Sequence, residues 1–301
     1  MISVIIPLYN KEKHIANTLQ TVFNQTFQDS EIVIVDDGST DNSVEQVKKV
    51  NDSRIRLIHQ ENAGVSVARN KGIAEAKYNY IAFLDADDEW KPEYLGKQVD
   101  LIHRFPECQV YACAYELKKD EKITPIILNK ILFQGEKGIL TNYFEVASCS
   151  HPPLWTSAVV VKKEAIQAIG GFPVDIKAGE DLLTWARLAV KYKIAYNKML
   201  LASFVTEISS KPRRVPAEQD IVGSELKALY QKNPTALGLK TYVSLWHKMR
   251  ASIYMRLHDR KSALKETLIA LKYNVWNFKL YVYLIILLMP LKIRNKFFAS
   301  C

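Results

Sequence analysis

The sequence predicts an α/β fold in which a mostly parallel central sheet is followed by a helical C-terminal appendage. Apolar strand patterns alternate with amphipathic helix patterns through the first half of the 301 residues. These strand patterns are continuously apolar, which is typical of a parallel sheet covered by helices on both faces. After Pro216 almost every segment has helical spacing.

Four strand patterns alternate with three helix patterns in residues 1–85. The strands are ISVIIPLY, EIVIVDD, RIRLIHQ and YIAFLD, and the helices are KHIANTLQTVFNQ, STDNSVEQVKKV and GVSVARNKGIAEAK. The second helix opens on residues that cap helix N-termini. Ligands of such sheets bind at the carboxyl ends of the strands, so the residues after each strand are the first site candidates.

Residues 92–210 mix the two kinds of pattern. The helices are EYLGKQVDLIHRF, KEAIQAIGGF and EDLLTWARLAVKY, and the strands are CQVYACAYEL and SAVVVKK. Gly170 and Gly171 end the second of these helices. Farther on, DRKSALKETLIALKYN is spaced like half of a tetratricopeptide unit, but without a repeat it predicts only a helical appendage.

The composition, 48% hydrophobic and 24% charged, is typical of a soluble globular protein. The chain begins with a strand pattern, MISVIIPLYN, and not with the charged and apolar regions of a signal peptide. Its four cysteines have neither C-x-x-C nor zinc-ligand spacing, so we expect reduced thiols in a cytoplasmic protein.

The net charge of +9 is concentrated in the last third of the chain. Residues 211–301 contain 17 Lys/Arg and 5 Asp/Glu, whereas residues 1–210 contain 24 and 27. A basic helical region suggests contact with an acidic surface, for which membrane and nucleic acid both qualify. A solvated helix surface explains the charge equally well.

An apolar run, LYVYLIILLMPL, occupies residues 280–291. Its twelve residues are fewer than the roughly 20 that span a bilayer. Lys279 precedes the run, and Lys292, Arg294 and Lys296 follow it. It is predicted either to lie in the interface of an anionic membrane or to pack against the helical bundle, and Pro290 would end either helix.

The segment YIAFLDADDEW takes an apolar strand directly into Asp85, Asp87 and Asp88. Ionised carboxylates this close repel unless water or a cation compensates them. Mg²⁺ and Mn²⁺ prefer carboxylate oxygens and bridge substrate phosphates. The Asp36–Asp37 pair ends a neighbouring strand, and neither a G-x-G-x-x-G motif nor a P-loop is present, so a metal site is favoured over a solvated loop.

Five segments in order, VIIPLYN, IVIVDDGSTD, GVSVARNKGI, YIAFLDADD and GGF…GEDLLTWAR, resemble a family 2 glycosyltransferase of the GT-A fold. The resemblance implies a GT-A domain at residues 1–212 and a basic helical region at residues 213–301. It further implies an inverting, Mn²⁺- or Mg²⁺-dependent transfer from a nucleotide sugar, expected to be a UDP-sugar. The acceptor would be a glycan or lipid-linked molecule in bacterial surface polysaccharide assembly.

The resemblance also assigns residues to the donor. Base and ribose would be lined by Pro7, Leu8, Tyr9 and Glu12. Asp37 would accept a hydrogen bond from the base, and Asp36 would assist or shape the turn. Arg69 and Asn70 would lie near the diphosphate. Asp85 would face the sugar or ribose, Asp87 would be the principal metal ligand, and Asp88 would support them.

The E-D pair of AGEDLL supplies the expected general base. Inverting transfer needs a carboxylate that deprotonates the acceptor hydroxyl, and Asp181 is favoured over Glu180. The alternative is that both acids only stabilise a helix N-terminus. His151 and Trp155 are acceptor candidates, as an aromatic face suits a sugar ring.

Arg213 and Arg214 are candidates for a cationic clamp on the diphosphate. The Q-x-x-R-W motif of processive relatives is missing, so a single addition is expected. The expected location is the cytoplasm, with peripheral contact to an anionic inner membrane, and no nucleic-acid partner is expected.

Two alternatives remain: an inactive protein of the same fold that binds nucleotide sugars, and a sugar nucleotidyltransferase. The second alternative usually needs a glycine-rich loop after the first strand, and PLYNKEKH has no glycine.

Overall fold

A computed structural model describes residues 1–120, 122–176, 178–206 and 215–290. Within them, one twisted mixed sheet of ten strands is covered by helices, and four further helices follow the last strand.

The strands are β1 (Ile2–Leu8), β2 (Ser30–Asp36), β3 (Ile55–His59), β4 (Tyr80–Phe83), β5 (Glu89–Trp90), β6 (Val110–Lys119), β7 (Lys122–Pro125), β8 (Lys137–Ile139), β9 (Val159–Lys162) and β10 (Ile194–Thr206). The helices are α1 (Ile15–Phe23), α2 (Ser43–Lys48), α3 (Val65–Glu75), α4 (Tyr94–Arg104), α5 (Tyr143–Cys149), α6 (Lys163–Gln167), α7 (Glu180–Lys191), α8 (Ile221–Lys232), α9 (Leu239–Arg256), α10 (Arg260–Tyr273) and α11 (Phe278–Leu288).

The strand order is β3-β2-β1-β4-β9-β6-β10-β5, with β7 paired to β6 and β8 paired to β10. The first four strands of this order are parallel, as predicted. Their register brings Leu8, Asp36 and His59 to one edge, so three strand exits open side by side.

Beyond β4 the sheet becomes mixed, although β6 and β10 form a further parallel pair. The β9 strand is antiparallel to both β4 and β6, and β5, β7 and β8 also pair antiparallel. The sequence patterns gave no strand at β10, whose register shifts between Asn197 and Ala202 break the regular alternation.

Successive side chains of β1 point to opposite faces of the sheet and belong to two separate cores. Val4 and Ile6 lie in the core that contains residues of α1 and α4. Ile5, between them, lies in the core that contains residues of α3, α5 and α7. Both faces of the sheet are therefore covered, which explains the continuously apolar strand patterns.

The helices α8 and α9 contribute to the second of these cores through Val222, Leu226, Tyr242 and Val243. Farther along α9, the Ser244 hydroxyl donates to the carbonyl of Ala270 in α10, 2.8 Å away. The C-terminal helices thus pack on the sheet domain. The predicted boundary between residues 212 and 213 lies outside the described residues.

Among the described helices, none combines the length and the apolar character required to cross a bilayer.

Candidate active site

The loop after β1 is joined to the loop after β2 by hydrogen bonds. The Thr40 backbone N–H donates to Asn10 Oδ1 at 2.8 Å, and the Asn42 backbone N–H donates to Glu12 Oε2 at 3.0 Å. Asn10 has φ of 50°, a left-handed conformation that Asn tolerates better than most residues. These contacts hold the exposed Tyr9 at the edge of the sheet.

Two predicted donor residues, Pro7 and Leu8, lie inside β1 with buried side chains. The Leu8 carbonyl accepts the backbone N–H of Asp37 at 2.8 Å. Pro7 and Leu8 therefore contribute to this edge by placing the ends of β1 and β2 beside each other. The Glu12 carboxylate accepts hydrogen bonds from both the backbone and the side-chain amide of Asn42.

Asp37 is buried and accepts three hydrogen bonds from the segment after β3. Gln60 Nε2 and the Ala63 backbone N–H donate to Oδ1 at 2.8 and 2.9 Å, and the Gly64 backbone N–H donates to Oδ2 at 2.8 Å. This carboxylate is held rigidly between two strand exits. A carboxylate has about four acceptor sites, so Asp37 can still accept a hydrogen bond from a ligand.

Asp36 accepts the backbone N–H of Ser39 at 3.1 Å, and its Oδ2 lies 3.1 Å from His59 Nδ1. The first acid of the pair therefore shapes the turn after β2, and its contribution to donor binding stays a prediction.

The short loop between β4 and β5 carries the acidic cluster. Asp85 Oδ1 accepts a hydrogen bond from Arg69 Nη2 at 2.7 Å. The Asp87 carboxylate forms an ion pair with Lys11 from the loop after β1. Each of these two acids is thus compensated by a cation from a different part of the chain.

Asp88, unlike the other two acids, is buried. Its Oδ2 accepts hydrogen bonds from Ser157 Oγ at 2.5 Å and Trp155 Nε1 at 3.2 Å, and its Oδ1 accepts the Val205 backbone N–H at 3.1 Å. Burial, reinforced by the charges of Asp85 and Asp87, raises its pKa to about 8. Asp88 therefore supports the loop from inside, through hydrogen bonds that connect it to the segments at Trp155 and Val205.

Arg69, on α3, joins the acidic loop to the N-terminus of α7. Its side chain is buried, and Nη1 lies 3.4 Å from Glu180 Oε1 while Nη2 binds Asp85. The guanidinium also lies over the ring of Phe172, 5.0 Å from its centroid. The motifs DADD and GED, which are remote from each other in the chain, therefore meet at one buried cation.

Asp181 is the second residue of α7 and is partly buried. The Leu182 backbone N–H donates to its Oδ1 at 2.8 Å. Burial and the charge of Glu180 raise the pKa of Asp181 to about 6, although Arg69 opposes the shift. The acid is therefore ionised at neutral pH but is a stronger base than an exposed aspartate.

The segment before α7 is held by Asn70. The Asn70 side-chain amide donates to the Phe172 carbonyl at 2.7 Å and accepts the Phe172 backbone N–H at 2.8 Å. This amide thus fixes the chain that leads to the E-D pair. Its contact with a diphosphate stays a prediction.

The two acceptor candidates differ in position. Trp155 lies beside Asp88 and packs against Phe204, with ring centroids 4.3 Å apart. The His151 ring nitrogen Nδ1 accepts the Ile127 backbone N–H at 3.1 Å, outside the acidic loop. Arg213 and Arg214 lie outside the described residues.

The fit of a divalent cation depends on Asp85 and Asp87. Their side chains are partly exposed, at 24% and 31%, on one short loop at the sheet edge. Two carboxylates supply only part of an oxygen-ligand set, which is the arrangement that Mg²⁺ adopts when substrate phosphates and waters complete it. These residues fit such an ion when it takes the place of the Lys11 ammonium at Asp87.

Lys11 and Gln60 belong to this site but were not among the predicted residues. Gln60 directly follows β3, so the strand-exit rule applied to RIRLIHQ would have found it. Lys11 has no such signal, because its role depends on Asp87 approaching from another part of the chain.

The chain matches the family model described as "Glycosyl transferase family 2" over residues 3–162. It is similar to the uncharacterized glycosyltransferase YibD of Escherichia coli, with 52% identity over 93 residues, which cover 30% of this chain and 27% of YibD. It is also similar to TuaG of Bacillus subtilis, a glycosyltransferase named for teichuronic acid biosynthesis. That match has 33% identity over 200 residues, 65% of this chain and 75% of TuaG.

Among solved structures, the fold is similar to S. aureus TarS 1–349 in complex with UDP-GlcNAc. The TM-score is 0.70 with 17% sequence identity, and the match covers 90% of this chain and 81% of the TarS chain. A match of this extent continues past the last strand into the helical region.

Proposed function

This chain belongs to glycosyl transferase family 2 and is a glycosyltransferase, and from that premise we propose its reaction. It transfers a sugar, with inversion and with the help of Mn²⁺ or Mg²⁺, from a UDP-sugar to a glycan or lipid-linked acceptor. The product serves bacterial surface polysaccharide assembly at the cytoplasmic face of an anionic membrane. The inactive nucleotide-sugar-binding protein is the alternative against which the proposal is tested.

The observation that carries the proposal is the bridge made by Arg69. This buried guanidinium contacts Asp85 from the acidic loop and Glu180 from the first turn of α7. The proposed donor edge and the proposed base-carrying helix end are therefore adjacent in this proposal. An inverting transfer requires this proximity, because the base must act on the acceptor oxygen next to the anomeric carbon.

The donor half of the proposal rests on three strand exits. Asp37, held by Gln60 and Gly64, accepts a hydrogen bond from the nucleotide base. The exposed Tyr9 covers the nucleotide base from the solvent side. Arg69, paired with Asp85, contributes a fixed positive charge near the proposed position of the diphosphate. The UDP-GlcNAc complex of the structural relative TarS supports a uridine donor.

The acceptor half rests on Asp181. Its carboxylate takes the proton of the acceptor hydroxyl as that oxygen forms a bond to the anomeric carbon and the bond to the diphosphate breaks. A divalent ion held by Asp85 and Asp87 would supply neutralisation of the leaving diphosphate. Trp155, at the other side of the acidic loop, is the proposed wall for the acceptor sugar.

Asp181→Asn tests the base assignment without changing the size of the side chain. We expect the transfer rate to fall by about 10²–10⁴-fold, because the amide cannot accept the hydroxyl proton. Donor affinity, measured by calorimetry with UDP and Mn²⁺, should stay within about twofold, since the base contacts the acceptor. Both quantities are measured on one preparation of the variant.

Glu180→Gln is the matched control, since it removes the neighbouring charge of the same helix turn and should reduce transfer much less. Full transfer by Asp181→Asn would reject Asp181 as the base. A wild-type chain that binds UDP-sugar but never transfers or hydrolyses it would favour the binding-protein alternative.

A further inference from the structure

The helix α11 has two apolar faces, and one of them packs on the bundle. Its buried residues Leu280, Ile286 and Leu287 face inward, and the last two join a small core with Tyr254 and Met255 of α9. The other face is exposed. Its members, 43–76% exposed, are Phe278, Tyr281, Val282, Ile285 and Leu288, which we call the outer face of α11.

The spacing of the outer face is helical, at positions i, i+3, i+4, i+7 and i+10, so its side chains form one continuous stripe. Trp276, shortly before the helix, is 80% exposed. Contiguous apolar surface of this kind marks a site of interaction, whereas single exposed apolar residues do not. One face of the helix therefore packs on the bundle, which was one of the two alternatives predicted from the sequence. The other face is available to contact a partner.

The exposed charges of α10 and α11 are of one sign. Residues 260–290 contain five Lys/Arg, all exposed, and one acid, Glu266, which is buried. Glu266 is bound by His247 and Arg250 and so does not offset the exposed charge. Lys279 lies within α11 itself, beside Phe278. The exposed charge of this region is thus complementary to an anionic surface.

The length of α11 decides how a membrane could be contacted. Its 11 residues extend about 16 Å, which is roughly half of the ~30 Å hydrocarbon thickness. The inner face of the helix also packs on residues of α9 and α10. It can therefore lie along a membrane surface, with aromatic side chains at the headgroup level, as Trp and Tyr do at interfaces.

We propose that the outer face of α11, together with Trp276, docks on the surface of an anionic lipid bilayer. The apolar stripe enters the boundary between headgroups and acyl chains, and the exposed lysines lie against lipid phosphates. The inference rests on the proposed function in one respect. If the acceptor is lipid-linked, docking of the outer face brings the enzyme to the membrane that contains the acceptor.

The test is sedimentation of the full-length chain with vesicles of phosphatidylcholine, alone or mixed with phosphatidylglycerol. We expect binding to the mixed vesicles that weakens with salt. The triple variant Trp276→Ser/Phe278→Ser/Ile285→Ser should lower the partition coefficient by about tenfold or more, because three large apolar side chains no longer leave water. These residues are exposed, so the fold should persist, which circular dichroism checks.

The matched control is Ile123→Ser/Leu132→Ser. It removes two other exposed apolar side chains, 50% and 62% exposed, from the sheet domain. Its vesicle binding should equal that of the wild type. A chain that binds neither kind of vesicle, or binds both equally, overturns the proposal.

Two further outcomes assign the outer face to another occupant and so overturn the proposal. A dimer, detected by light scattering and broken by the triple variant, with no vesicle binding, assigns it to a second copy. Acrylamide quenching of Trp276 fluorescence is measured without vesicles as the difference between the wild type and Trp276→Phe. If Trp276 is protected from quenching, the outer face is covered by another part of the chain. UDP titration of the triple variant separates the two proposals, because donor binding should be unchanged whether or not vesicles are bound.

Discussion

At the scale of single residues, the electrostatics of Asp181 predict a pH dependence. Burial and Glu180 raise its pKa to about 6, and a base must be ionised to accept a proton. The ionised fraction is lost as pH falls through this value. Single-turnover transfer should therefore decrease below pH about 6, by approximately tenfold for each further unit.

Donor binding by calorimetry over the same pH range is the control, because a loss of UDP affinity would imitate the effect. A transfer rate that stays level from about pH 7 to about pH 5, in a chain that still binds donor, would contradict the assignment of Asp181.

Lys11 is a second residue with a measurable role. Its ammonium pairs with Asp87, so a cation that uses this carboxylate must compete with it. Lys11→Met should raise the affinity for Mn²⁺ without nucleotide by about two- to fivefold, the size expected for a partly exposed pair. Calorimetric titration with Mn²⁺ measures the change, and Asp87→Ala should abolish the binding.

Lys13→Met is the matched control, because it removes the same charge from an exposed side chain of the same loop. An equal gain in both lysine variants would mean that only net charge matters and that the pair with Asp87 has no special effect.

At the scale of elements, the N-terminus of α7 is held by α9. Gly179, directly before α7, has φ of 88°, and a Cβ at this position would lie 2.7 Å from the Trp246 ring. The Trp246 Nε1–H donates to Asp220 Oδ1 at 3.0 Å, which limits its freedom to move away. The position of the proposed base thus depends on a helix of the C-terminal region.

Gly179→Ala should therefore reduce transfer. The added methyl displaces the start of α7 from Trp246, and the left-handed backbone adds strain of about 1–3 kcal/mol. We expect a transfer rate at least about tenfold lower, with UDP affinity retained, since the donor residues lie at the strand exits. Transfer assays and UDP calorimetry measure the two effects.

Gly170→Ala is the matched control, because it introduces left-handed backbone strain without a clash against a neighbouring side chain. Gly170 has φ of 83°, but nothing lies within 4 Å of its added Cβ. This variant should lose stability in thermal unfolding and keep its transfer rate. Equal loss of transfer in both variants would mean that α9 does not position α7.

The C-terminal helices are themselves joined by a buried ionic network. Arg250 Nε lies 2.9 Å from Glu266 Oε1 and 3.3 Å from Asp220 Oδ2, and His247 Nδ1 lies 2.7 Å from Glu266 Oε2. Asp220, His247 and Glu266 are close enough to share a metal ion. A guanidinium already compensates both acids, so the group is better explained as a connection among α8, α9 and α10.

At the scale of the whole molecule, the basic helical region is more than the appendage that the sequence predicted. It shares a core with α5 and α7, it supports Gly179 through Trp246, and it carries the outer face of α11. The charge difference between the two parts of the chain matches this division of roles. The acids of the proposed site lie at the sheet edge, and the C-terminal helices carry the excess of exposed cations.

Most of the sheet was predictable because its information is local. Apolar runs broken by helical spacing identify β1 to β4, and their parallel order places the residues after each strand at one edge. The strand β10 was missed because its bulges interrupt the period of two on which strand prediction depends.

The candidate site was predictable in its acids and only partly in their partners. Asp37, Asp85, Asp87 and Asp181 follow from ordered motifs, and the fold brings Arg69 to Asp85 and to the first turn of α7. The ion pair of Asp87 with Lys11 could not be anticipated, because its two residues lie 76 positions apart and meet only through strand register.

The sequence by itself determined the alternation of strands and helices, the family and the positions of the acids, because periodicity and motif order are properties of the chain. Only the tertiary structure decided which cation compensates each acid, how the antiparallel β9 turns a parallel sheet into a mixed one, and which face of α11 stays exposed. The physical reason is that ion pairing and burial depend on distances between residues remote in sequence, and packing alone sets those distances.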